Sequence, residues 1–132
     1  MILPLLGALL SGLFAKRIGR AGAHTATTSL VFISFLLSLY LALNLLPNHA
    51  SSVMFFDWLD GCSIGVLLDP LSILMCVVVT MISFFVHVYS IGYMQGDPGY
   101  QRFFAYVSFF TFAMLALVLA PNLLQTFFGW EG

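Results

Sequence analysis

Long apolar runs separated by short polar breaks dominate the chain, and the run lengths predict membrane helices. A helix rising 1.5 Å per residue needs about 20 apolar residues to cross a hydrocarbon core of about 30 Å. Four runs stand out, at about residues 2–15, 25–46, 70–94 and 103–120. After Pro121-Asn122 a fifth begins, LLQTFFGWEG, where proline suits the first turn because its missing N–H would be unpaired anyway. The first run is short for a crossing and gains reach if Lys16 and Arg17 snorkel to the interface. The third is longer than a bilayer requires, which predicts tilt or projection. The expected fold is an all-α membrane protein, with four transmembrane helices and the start of a fifth from residue 122, forming one transmembrane unit over residues 1–132.

The connection at 47–68 breaks this pattern. SSVMFFDWLDGCSIGV is neither a span nor plainly polar, and Asp60-Gly61 between short apolar runs is a hairpin signal. A small two-stranded element is expected there. That connection holds Asp57 and Asp60 but no Lys or Arg. The first loop carries Lys16, Arg17 and Arg20, and the third carries Arg102. The positive-inside rule then puts loops one and three inside, and the N-terminus and the hairpin on the outer face.

Composition sharpens the class. Hydrophobic residues make up 61% and charged residues 7%, too few charges to cover a water-exposed surface, so lipid is the expected surroundings. A net charge of −1 argues against a nucleic-acid partner, which would need a basic face. Cys62 and Cys76 have no metal-ligand spacing and imply no disulfide framework. MILPLLGALLSGLFAKRIGR places its charges after the apolar stretch, the reverse of a secretory signal, so it reads as a retained membrane helix.

The residue with most chemical promise is Glu131. It follows Asn122 by nine residues, roughly 13–14 Å of helix, while half of the hydrocarbon core is about 15 Å. A carboxylate near the midplane is costly unless it faces protein or water, and such residues are by default ion- or proton-handling sites. The adjacent Trp130 points to burial of the pair in protein, and Gly129 and Gly132 permit close helix approach. The bland alternative is an interfacial tail. A helix ending at Gly132 would leave its last carbonyls in hydrocarbon, so either a longer sequence or a second polypeptide continuing after Gly132 is expected.

DPLS at 69–72, HVYSIGYM at 87–94, GYQRFFAYVSFF at 99–110 and NLLQTFFGWEG at 122–132 occur in order and in register. Together they resemble the amino-terminal part of the NADH–ubiquinone oxidoreductase chain 5 family, the antiporter-like membrane subunits of respiratory complex I. The resemblance is specific over residues 67–132 and compatible in hydropathy before them. It implies a proton-pumping subunit built on inverted repeats, in which the GWEG glutamate, here Glu131, takes part in intramembrane proton transfer with lysines on later helices. Those lysines have no counterpart here, and Lys16 is no substitute. Relatives more often carry a polar residue where this chain has Pro121, which leaves the start of the fifth helix open.

His87 lies 17 residues beyond Pro70, about 25 Å along the third helix. It reads either as a hydrogen-bonded packing residue or as a weaker proton-path candidate, given its ordinary pKa near 6.5. Asp69 reads as a helix N-cap rather than a channel carboxylate. Tyr89, Tyr93 and Tyr100 read as interface anchors, and FFAYVSFFTF as packing surface.

The resemblance implies a subunit of the proton-translocating NADH:ubiquinone reductase with no redox centre of its own. It would bind no cofactor, while the complex as a whole uses NADH, FMN, iron–sulfur clusters and ubiquinone. No nucleotide-binding glycine turn or cysteine cluster is present in the sequence. Its implied partners are other membrane-arm subunits, the polypeptide continuing after Gly132 and the bilayer of the mitochondrial inner membrane, or alternatively of a bacterial plasma membrane. Two other readings stay open: a homologous subunit of a multi-subunit Na+/H+ antiporter, and a structural piece without a proton-handling role.

Overall fold

The computed structural model of the chain describes the backbone of residues 1–45, 51–59 and 62–132, with side chains except at 15, 16, 18, 45, 51–59 and 62. Its elements are α1 (Ile2–Leu13), α2 (Ala15–Leu45), β1 (Ser51–Leu59), β2 (Cys62–Leu68), α3 (Pro70–Tyr93), α4 (Tyr100–Val118) and α5 (Leu123–Glu131). Helices 19–44, 70–93 and 100–118 are long and apolar enough to cross a membrane, and α1 is a shorter apolar helix. The chain is an all-α membrane protein with a hairpin at one end and a fifth helix.

The strands pair antiparallel, from Ser51 opposite Leu68 to Leu59 opposite Cys62. The turn residues Asp60 and Gly61 lie outside the described residues, as do Pro47 and the end of the second run. So does the snorkelling proposed for the Lys16 side chain. The hairpin is tied to the bundle where Leu67 N–H donates to the Leu119 carbonyl at 2.9 Å. Below it, Cys76, Leu115 and Leu119 form a small apolar cluster with Val66 and Leu68.

Two boundaries differ from the sequence reading. The first loop is helical: α2 starts at Ala15 and is bent at Gly19, whose φ of 72° lies in the left-handed region that glycine tolerates. Arg20 and His24 therefore extend the second helix below its apolar run, because helix propagation needs only backbone hydrogen bonds and not apolar side chains. Pro121 precedes α5 instead of standing in its first turn; Asn122 is the N-cap. The N-cap of α3 is Asp69, which accepts from Ser72 N–H at 2.9 Å, followed by Pro70 at the first helical position.

The interior of the bundle is made of small and polar residues. On α3 the buried face runs through Ser72, Cys76, Thr80, Ser83, His87 and Ser90, in steps of three and four residues. Thr27, Ser34 and Ser38 on α2 and Ser108 and Thr111 on α4 face it. Leu71, Phe85, Tyr106 and Phe110 point outward. In water this arrangement would be inverted. In lipid the outside is as apolar as leucine, so close approach of small residues and pairing of hydroxyls decide what turns inward. Thr27, Ser38, Thr80 and Thr111 also bond a carbonyl one turn back, as Thr27 does to Ala23 at 2.9 Å, while the Ser34 hydroxyl is buried without a partner.

Candidate functional site

Helix α5 is anchored to the hairpin through side chains. The Asn122 oxygen accepts from Gln125 N–H at 2.8 Å, and its Nδ2 donates to the Ser63 carbonyl at 2.5 Å. Gln125 pairs with Gly65 as a neighbouring strand would. Its Oε1 accepts from Gly65 N–H at 3.1 Å, and its Nε2 donates to the Gly65 carbonyl at 2.9 Å. Farther along, Gly129 and Gly132 face α4 at Leu117 and Ala113.

Glu131 is the last residue of α5. It lines a groove of about 370 Å³ with Phe110, Ala113, Met114, Leu117 and Trp130. The expected burial of Trp130 and Glu131 is not met within this chain: Trp130 is 78% exposed and Glu131 is exposed as well. The reason is helical phase. Gly129 and Gly132 stand three residues apart on the face against α4, and the two residues between them are turned away.

A second polar assembly lies inside the bundle around His87, which is fully buried. Its Nδ1 stands 2.7 Å from the Ser83 carbonyl, and its Nε2 3.1 Å from the Ser108 hydroxyl on α4. A carbonyl only accepts, so neutral His87 carries its proton on Nδ1, and Nε2 is the basic nitrogen that receives the Ser108 O–H. Ser83 Oγ lies 2.5 Å from Thr111 Oγ1, whose own hydrogen goes to the Val107 carbonyl at 2.8 Å. Ser83 is therefore the donor of that pair. One helical step toward the hairpin, Ser38 and Thr80 link α2 to α3 at 2.9 Å.

The structure separates Glu131 from His87: the first faces a surface groove and the second is enclosed. Tyr89 and Tyr93 are exposed and stacked, as interface residues are. Tyr100 is not an anchor. It is 4% exposed, and its hydroxyl lies 2.9 Å from His24 Nδ1. The helical first loop is what carries His24 to it. FFAYVSFFTF is also divided, since Phe109 and Phe110 face outward while Phe104 is fully buried. His24 escaped the sequence reading. The available signal was its place one turn from Thr27 within the small-polar stripe of α2.

Residues 60–104 match the family model described as NADH-Ubiquinone oxidoreductase (complex I), chain 5 N-terminus. NADH-quinone oxidoreductase subunit L of Neisseria meningitidis is 46% identical over 98% of this chain and 20% of its own length. The chain is similar to this family over its whole length. NADH-ubiquinone oxidoreductase chain 5 of Chondrus crispus is 42% identical over the whole chain and 21% of its own length. Chain 5 of Metridium senile is also 42% identical, over the whole chain and 23% of its own length. The chain thus spans about a fifth of the length of these chain 5 and subunit L relatives. The similarity reaches both ends of the chain, beyond residues 67–132 that carry the recognisable blocks.

Proposed function

We propose that this chain contributes to the proton-translocating membrane part of an NADH:quinone oxidoreductase, alongside its other membrane subunits, with Glu131 as a proton-carrying carboxylate. The relatives are named as chain 5 or subunit L of that oxidoreductase, and the single observation that carries the reading is identity of 42–46% along the whole chain. Electron transfer takes place on other subunits, and this chain supplies only the membrane path. Its setting is the mitochondrial inner membrane or the bacterial plasma membrane. NADH, FMN, iron–sulfur clusters and ubiquinone belong to the complex, with none held by these residues.

The chemistry assigned to Glu131 follows from its place. A carboxylate about 13 Å into the membrane along α5 is stable only where protein or water meets its charge. Its groove between α4 and α5 is open to a covering helix. A cation brought near on that helix would favour the ionised form, and its withdrawal would favour proton uptake. His87, held on both ring nitrogens, serves as a second proton-accepting group inside the bundle.

The test is Glu131→Gln in the assembled complex, reconstituted in sealed vesicles. Glutamine keeps the size and loses the titratable proton. Assembly should be unchanged, and proton pumping with coupled quinone reduction should fall at least tenfold, with Glu131→Asp retaining more. Wild-type pumping by the glutamine variant makes Glu131 a packing residue.

A further inference from the structure

We infer that His24 and Tyr100 form the mouth of a proton path at the arginine-bearing end of the bundle, and that Phe104 is the plug that separates this mouth from His87. The inference rests on the proton-carrying reading above and adds residues it did not assign. His24 is half-buried near the start of the long span of α2, with its Nδ1 2.9 Å from the Tyr100 hydroxyl of α4. A phenol can donate to neutral imidazole and accept from imidazolium, so the pair holds a hydrogen bond in either charge state. That is what a site of proton uptake requires.

Phe104 touches both histidines. It is fully buried, with ring-centroid distances of 6.3 Å to His24, 5.8 Å to His87 and 4.9 Å to Tyr100. Its ring offers no hydrogen-bonding atom, so it adds an apolar contact to each histidine and no polar link between them. Beyond it, the basic Nε2 of His87 faces Ser108, one turn above Phe104 on α4. The Ser83–Thr111 pair follows. These two residues line a groove of about 200 Å³ whose walls include Phe110 and Met114, and the same two residues wall the Glu131 groove. The order of groups therefore runs from the mouth, past one plug, to the border of the Glu131 groove.

Rotation of the Phe104 ring would let water join the two sides. A proton taken up by His24 and delivered to Nε2 of His87 leaves His24 neutral and ready again, and nothing else is consumed. Arg20 stands one turn from His24 on α2, and Tyr100 bonds it from α4. The sequence of α1 has no titratable side chain.

The experiment uses the assembled complex in sealed vesicles. His24→Gln retains an acceptor for the Tyr100 hydroxyl and loses the titration. We expect pumping to fall several-fold and the pH–rate profile to change shape. Phe104→Leu should raise passive proton leak with electron transfer stopped, and the double variant should be tight again. A His24→Gln profile identical in shape to wild type, or a Phe104→Leu vesicle as tight as wild type, overturns the inference. Should His24→Gln fail to assemble, Tyr100→Phe carries the same test, with a changed profile expected and an unchanged one overturning it. Glu131→Gln separates the two levels. If it pumps normally, the underlying reading fails; if it is inactive while His24→Gln keeps the wild-type profile, only the path mouth fails.

Discussion

Gly129 of α5 sits directly on the backbone of Leu117 in α4: a Cβ placed at Gly129 would stand 2.7 Å from the Leu117 nitrogen and 2.8 Å from its Cα. Backbone atoms cannot swing aside as a flexible side chain does. The two helices are therefore in contact only because residue 129 has no side chain, and this contact sets the angle at which α5 presents Glu131.

Gly129→Ala is accordingly expected to push α5 away from α4, at a cost of about 1–3 kcal/mol typical of overpacking. Gly132→Ala meets the Ala113 Cβ at 3.1 Å and should be milder. Thermal stability of the purified complex reads both, and cross-linking between cysteines introduced at Ala113 and Gly132 reads the first. Equal behaviour of the two variants would mean that the close approach at Leu117 is not made.

At the other end of α5, Gln125 replaces a strand partner for Gly65. Gln125→Ala leaves one donor and one acceptor of Gly65 without their partner, and should cost about 1–3 kcal/mol where water cannot replace it. Gln125→Glu should be no rescue, because a carboxylate can accept from Gly65 N–H but opposes the Gly65 carbonyl. Hydrogen exchange at the Gly65 amide is the direct measure, with faster exchange expected in both variants.

Asp69 lies outside the spans, and its bonds from Ser72 hold its carboxyl below the ordinary value of 3.8. A depressed carboxyl contributes stability that is complete above the ordinary value and disappears as pH falls through the lowered one. At neutral pH, Asp69→Ala should lower stability by about 1 kcal/mol, and Asp69→Asn by less, since asparagine also caps. The difference between wild type and Asp69→Asn should stay constant from pH 5 to pH 8 and vanish only in acid. Thermal unfolding across that range in detergent checks the sign.

What the sequence by itself determined was whatever depends on run length and local chemistry. Apolar runs long enough for the bilayer fixed the spanning helices, and Asp69-Pro70 fixed the start of α3, because a cap and its helix are neighbours in the chain. Glu131 was legible as a candidate site because depth along one helix follows from counting residues. Tertiary structure decided which residues meet. The distance from His24 to Tyr100, 76 positions apart in sequence, carries no local signal. Neither does the anchoring of α5 by a strand some 60 residues earlier. The exposure of Trp130 within this chain has a related reason: helix depth can be read from one segment, whereas the face a helix presents depends on its neighbour, and here two glycines against α4 set it. The small polar residues of the interior could be seen in the sequence as interruptions of apolar runs. Only packing in lipid, where hydroxyl pairing and close approach outweigh hydrophobicity, turned those interruptions into the inside of the molecule.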